Sequence, residues 1–167
     1  LFIVGCEQGK KTVQQYTIED FLGTISYTGG YFSPDMSKVL VSSNKSGIFN
    51  AYTIDVNGGE PVQITNSTTN SIFVRGYFPY DERFLYTSDE GGNELNHVFV
   101  KEKSGVVTDL TPGDSLKAQF AGWAQNDQSF FITTNERDRR FFDVYKYSID
   151  DYSRTLIYRN TEGLNFA

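Results

Sequence analysis

The side chains that could carry covalent or acid–base chemistry in this chain are few and far apart. There is one cysteine, Cys6, and one histidine, His97. A serine nucleophile elbow needs Gly-x-Ser-x-Gly between a strand and a helix. Gly113-Asp114-Ser115-Leu116-Lys117 comes nearest and lacks the second glycine. His97 sits in a short β-branched and aromatic run, where a packed or edge imidazole is a simpler reading than a general base. Gly5-Cys6-Glu7-Gln8-Gly9-Lys10-Lys11-Thr12 is one residue short of phosphate-loop spacing. One cysteine with one histidine cannot supply a structural zinc set, and Asp55-Val56-Asn57-Gly58-Gly59-Glu60 lacks the ligand ladder of a calcium loop. The spacings therefore assign this chain no catalytic residue, no metal and no cofactor.

Composition narrows the partners. Fifteen Lys and Arg against 21 Asp and Glu leave a formal charge of −6, which repels phosphate backbones, so nucleic acid is disfavoured. Fourteen Phe, 11 Tyr and one Trp supply ample core material. No run of apolar residues is long enough to span a bilayer. The opening Leu1-Phe2-Ile3-Val4-Gly5-Cys6 closes on a small residue just before the cysteine, and Ile3-Val4-Gly5-Cys6 resembles a bacterial lipobox. Residues 1–5 are then expected to end a signal peptide, Cys6 to carry a lipid, and residues 6–22 to form a tether. The protein would be an exported lipoprotein in the bacterial periplasm or on the outer membrane, meeting the membrane through its lipid anchor only. The alternative places Cys6 in an ordinary leading strand as a small buried hydrophobe. The chain reads as a fragment of a longer protein.

The elements that would position any site come from an internal repeat. Gly30, Gly76 and Gly122 recur every 46 residues. Tyr31, Tyr77 and Trp123 follow them; Asp35, Asp81 and Asp127 keep the interval, as do Ile64, Leu110 and Leu156. Each unit holds four apolar runs that are β-branched or aromatic and cut by Gly, Asn, Asp and Ser, the signature of strands. The first runs are 24–32, 72–78 and 117–124; the second are 38–43, 84–88 and 129–134. The third are 51–54, 97–100 and 143–147; the fourth are 62–65, 106–111 and 154–158. Ser33-Pro34-Asp35 and Asn57-Gly58-Gly59 supply turn chemistry between them. Four antiparallel strands every ~40 to 50 residues is the arithmetic of a propeller blade. The expectation is an all-β partial β-propeller of about three four-stranded blades over residues 23–167. Loops between second and third strands should emerge on the same face of the ring as the inter-blade connections.

The residues then carry a family resemblance. Ser33-Pro34-Asp35, Val39 to Gly47, Ala51 to Asp55 and Gly58 to Thr65 resemble the repeat shared by TolB-like propellers and the prolyl oligopeptidase family. Tyr86 to Glu94, Asp109-Leu110-Thr111-Pro112 and Thr134 to Asp138, running on to Phe141 to Tyr147, resemble the N-terminal propeller of bacterial serine peptidases of that family. The resemblance implies a propeller that caps an α/β-hydrolase domain outside this chain and limits access to short peptides. It implies a peptide substrate reached through that domain, and leaves the oligomeric state open. In related dipeptidyl peptidases acidic propeller residues hold the substrate's terminal ammonium; Glu94, Glu136 and Asp138, on or beside second-to-third-strand loops, are the candidates here. The plainer reading of Glu136-Arg137-Asp138-Arg139-Arg140 is a solvated loop whose charges pair with one another. The competing function is a TolB-like periplasmic propeller that binds a protein partner without catalysis.

Overall fold

The structure is a computed structural model that describes residues 13–164. Three four-stranded antiparallel sheets follow one another along the chain, with strand orders β1-β2-β3-β4, β5-β6-β7-β8 and β9-β10-β11-β12. The first comprises β1 (Tyr27–Phe32), β2 (Lys38–Ser43), β3 (Asn50–Asp55) and β4 (Val62–Gln63). The second comprises β5 (Phe73–Tyr77), β6 (Phe84–Ser88), β7 (His97–Lys101) and β8 (Val107–Asp109). The third comprises β9 (Ala118–Trp123), β10 (Ser129–Asp138), β11 (Phe141–Ser148) and β12 (Arg154–Tyr158). These are the expected blades, in the expected order. Within the stretch expected to be a tether lies a single short helix, α1 (Ile18–Leu22). A Thr17 capping box starts it, Gly23 N–H bonding Glu19 O closes it, and it buries no residue.

The sheets stack face to face because the middle one is apolar on both faces. Every residue of β6 is buried. Period-2 alternation sends Phe84 and Tyr86 into one core with Leu40, Ala51, Ile72 and Val74, and Leu85 into another with Val98, Val100, Phe130, Ile132 and Tyr147. Each fully buried Leu or Phe stabilises by about 1.5–3 kcal/mol, so these two interfaces hold the blades together. Arg83 locks the second interface: its guanidinium grips Asp81, lies 4.2 Å over the Phe78 ring, and donates to Ile149 O at 2.9 Å and the Tyr152 hydroxyl at 2.8 Å. Tyr152 donates in turn to Glu102 at 2.6 Å, and burial followed by that bond pushes its phenol up to about 12.

Strand pairing corrects the repeat by one residue. Phe32, Tyr77 and Trp123 pair with Val39, Phe84 and Phe130, so they are the equivalent aromatics, and the first blade lies one residue out of the 46-residue phase. Each innermost strand carries an extra residue just before that point, a bulge between Thr28 and Tyr31, between Val74 and Gly76, and opposite the Phe131/Ile132 step. The bulge requires a positive φ, which Gly76 (137°) and Gly122 (132°) adopt; in the first blade Gly29 (77°) takes the role, not Gly30. The turn shifts likewise. Asp35 accepts from Ser37 N–H, and its Ser33 and Ser37 partners hold its carboxyl down at about 2. In the third blade Asn126 does this for Gln128, while Asp127 occupies the left-handed position that Met36 holds in the first.

Two more repeat positions behave unequally. Beyond β4 and β8 the fourth strands continue through a hydroxyl: Thr65 accepts from Ala51 N–H and Thr111 from Val98 N–H. This is why the regular ladder is shorter there than the apolar runs 62–65 and 106–111. Leu156 pairs with Tyr145 and is 42% exposed, whereas Leu110 is buried.

The one-residue correction predicts opposite outcomes for adjacent glycines. Gly29→Ala, whose Cβ would meet Tyr31 and Val74 at 3.2 and 3.3 Å, should cost about 1–3 kcal/mol in urea unfolding. Gly30→Ala, with open space around its Cβ and no positive φ, should stay within about 0.5 kcal/mol of the parent.

Candidate functional site

The second-to-third-strand loops and the inter-blade connections do gather on one face. Gly91 N–H of the β6–β7 loop donates to Asn70 of the β4–β5 connection at 3.0 Å. Ser88 Oγ donates to Ser71 O at 2.8 Å, and Lys117 N–H donates to Asn135 Oδ1 at 2.6 Å. On this face the second blade holds a cavity of about 380 Å³ whose lining includes Asn70, Ser88, Asp89, Glu90, His97 and Asp109.

Inside it His97 Nδ1 lies 2.7 Å from Asp109 Oδ2, and the imidazole stacks on Phe99. An ionised carboxylate only accepts, so Nδ1 is the donor of this pair. Asp109 is itself positioned by accepting Thr111 N–H at 2.8 Å. Ser88 of β6 stands opposite His97 of β7, and Asp109 of β8, opposite Phe99, reaches the imidazole diagonally, a constellation the sequence reading missed because only strand pairing brings it together. It is not a hydrolytic triad. The Ser88 hydroxyl is spent on the Ser71 carbonyl and makes no bond to His97 among the described residues.

The three acidic candidates have different surroundings. Glu94 stands in the β6–β7 loop at φ 61°, its N–H donating to Asp89 at 2.9 Å, and its exposed carboxylate has no partner among the described residues. Glu136 and Asp138 lie on β10, which runs four residues past the apolar run ending at Thr134. Glu136 accepts from Arg154 at 2.8 Å. Asp138 is gripped by Arg140, whose guanidinium and backbone N–H hold its carboxyl well below the usual range. Arg137 bonds the fully buried Asp143 through two N–H groups at 2.6 and 2.8 Å and the Asn160 carbonyl at 2.6 Å. Only the Asp138–Arg140 pair closes within the segment 136–140; Glu136 and Arg137 reach to β12 and β11. The structure does not bring Glu94 into contact with the other two, and an ammonium on Glu136 or Asp138 would have to share or displace an arginine.

Cys6, the expected lipid-attachment residue, lies outside the described residues. Among the described residues no cluster of His, Cys, Asp or Glu is arranged to hold a metal. Among them, too, no helix is long and apolar enough to cross a membrane.

With fold and site in place, similarity to known proteins becomes informative. Over 133 residues, 77% of this chain, the sequence is 30% identical to dipeptidyl aminopeptidase BIII of Pseudoxanthomonas mexicana. The chain spans only 19% of the length of that relative. TolB from Acinetobacter baumannii superposes with a TM-score of 0.59 at 16% identity, covering 79% of this chain and 32% of that one. A structure from a study of two prolyl endopeptidases, concerned with inter-domain dynamics in catalysis and specificity, gives 0.63 at 13% identity, covering 81% and 22%. At such identities the two superpositions speak for the fold alone. No protein-family model matches the chain. The chain is a homologue of a dipeptidyl aminopeptidase and shares its blade architecture with prolyl endopeptidase and TolB propellers, as its motifs suggest.

The buried Arg137–Asp143 pair yields a pH prediction. Arg137 first, and Asn160 N–H after the opposing effect of burial, keep the Asp143 carboxyl below its ordinary value. A depressed carboxyl contributes stability that is present above the unfolded value, about pH 4, and lost as pH falls through the folded one. Arg137→Met should therefore lower the thermal midpoint at pH 7, and its deficit against the parent should shrink as pH drops below about 4.

Proposed function

We propose that this chain is the propeller portion of an exported serine peptidase that hydrolyses short peptides. Its blades would govern access to an α/β-hydrolase domain encoded elsewhere in the same polypeptide. The observation that carries the reading is the 30% identity to a dipeptidyl aminopeptidase across 133 residues, 77% of this chain. A ring of blades above a hydrolytic centre excludes folded proteins and bulk water by geometry alone. On this reading Glu94, with its unpaired carboxylate on the loop face, is the best placed of the acidic candidates to meet a substrate ammonium. Glu136 and Asp138 would serve only by yielding their arginines. Lipid attachment at Cys6 would tether the enzyme outside the cytoplasm, in the periplasm or on the outer membrane.

The TolB likeness in fold favours one other reading, a propeller that binds a protein partner without chemistry. An antibody raised against this chain separates them. From the source organism it should capture a polypeptide much longer than 167 residues that reacts covalently with a fluorophosphonate probe. Capture of a polypeptide that resists the probe would favour the TolB-like reading.

A further inference from the structure

The innermost strands of all three blades border a second cavity, of about 430 Å³, lined by Tyr31, Arg75, Thr87, Asn96, Gln119 and Phe120 among others. Arg75 is the extra residue of the β5 bulge, and the bulge throws its side chain across to β6. There its Nε and Nη2 donate to the hydroxyl of buried Thr87 at 3.1 and 2.9 Å. A guanidinium has five N–H groups; Thr87 takes two, one from Nε and one from Nη2. The end-on edge between Nη1 and Nη2, which matches the two oxygens of a carboxylate, is left open.

Arg75 forms no ion pair among the described residues, in a chain of net charge −6. Arg83, Arg137, Arg140 and Arg154 each hold one of the chain's own carboxylates. The carboxamides of Asn96 and Gln119 and the phenol of Tyr31 also lack hydrogen-bond partners among the described residues, and they edge the same cavity. A pre-oriented cation, neutral donors around it, no internal anion and the flat Phe120 ring form a receptor for a small organic anion. We propose that this cavity is a carboxylate-binding site for short peptides, with Arg75 as its anchor and Thr87 as the positioning residue. The choice of a peptide as carrier rests on the peptidase reading, whereas the carboxylate chemistry rests on the cavity alone. The carboxylate could be a peptide's C-terminus or an acidic side chain.

The chain would be titrated with acetyl-Ala-Ala-Ala as free acid and as amide, with acetyl-Ala-Asp-Ala amide, and with acetate, following the Arg75 Nε–H resonance in the parent and the backbone amides of Thr87 and Gln119 in parent and variants alike. The free acid should shift that resonance to saturation while its amide does not, which assigns the C-terminus; a response to the aspartyl amide alone assigns a side chain. Arg75→Gln should weaken binding at least about tenfold with its amide spectrum otherwise retained, and Arg75→Lys, a point charge without the fork, should fall between. A response to acetate with every peptide silent would keep the carboxylate site and overturn the peptide as its ligand. No Arg75-centred response to any carboxylate would overturn the site itself.

Discussion

Everything in this molecule depends on how closely the innermost strands of neighbouring sheets can approach. A blade of four strands cannot bury both faces by itself; it needs a sheet on each side, and the inner strands must converge for the faces to meet. The convergence centres on Gly76. A Cβ there would sit in ordinary van der Waals contact with Trp123 Nε1 at 3.5 Å on one side and Tyr31 Cδ1 at 3.6 Å on the other, so three blades meet at one position, which its φ of 137° reserves for glycine. From that point the two cores fan outwards, Phe84 and Tyr86 towards the first blade and Leu85 with Phe78 towards the third.

Charge is organised around the same frame. Between the second and third blades, where aromatic rings meet edge to face, Arg83 supplies a cation over Phe78 and ties the β5–β6 turn to the β11–β12 turn. In the third blade Arg137 neutralises Asp143, which would otherwise be a bare buried charge. With these structural pairs satisfied, the unclaimed groups stand out. Among the described residues they include Glu94 on the loop face, the far edge of the His97 ring in its cavity, and the outer edge of the Arg75 guanidinium on the inner wall.

Strands were legible wherever hydrophobic alternation and turn residues agreed; the runs 38–43, 84–88 and 154–158 coincide with β2, β6 and β12 residue for residue. Legibility failed where polar atoms replace apolar signals. Asn135 to Asp138 read as loop by composition, yet continue β10, where Arg137 and Glu136 find partners on β11 and β12. The one-residue slip in the first blade was invisible because Tyr31 and Phe32 are both aromatic, and only the pairing of Phe32 with Val39 tells them apart. His97 was visible as a lone histidine in a strand, but its bond to Asp109, 12 residues away, is diagonal: the β7–β8 register sets Asp109 opposite Phe99, two residues along from His97, and the residue types do not encode that register.

The chain has a single tryptophan, so its indole N–H resonance is unique. If Gly76 is where the inner strands of three blades meet, a nuclear Overhauser spectrum will show cross-peaks from that indole N–H, and from the ring protons of Tyr31, to the α-protons of Gly76. An indole proton that sees only its own blade, with the Gly76 α-protons silent towards both rings, would mean the sheets are not neighbouring sectors of one ring.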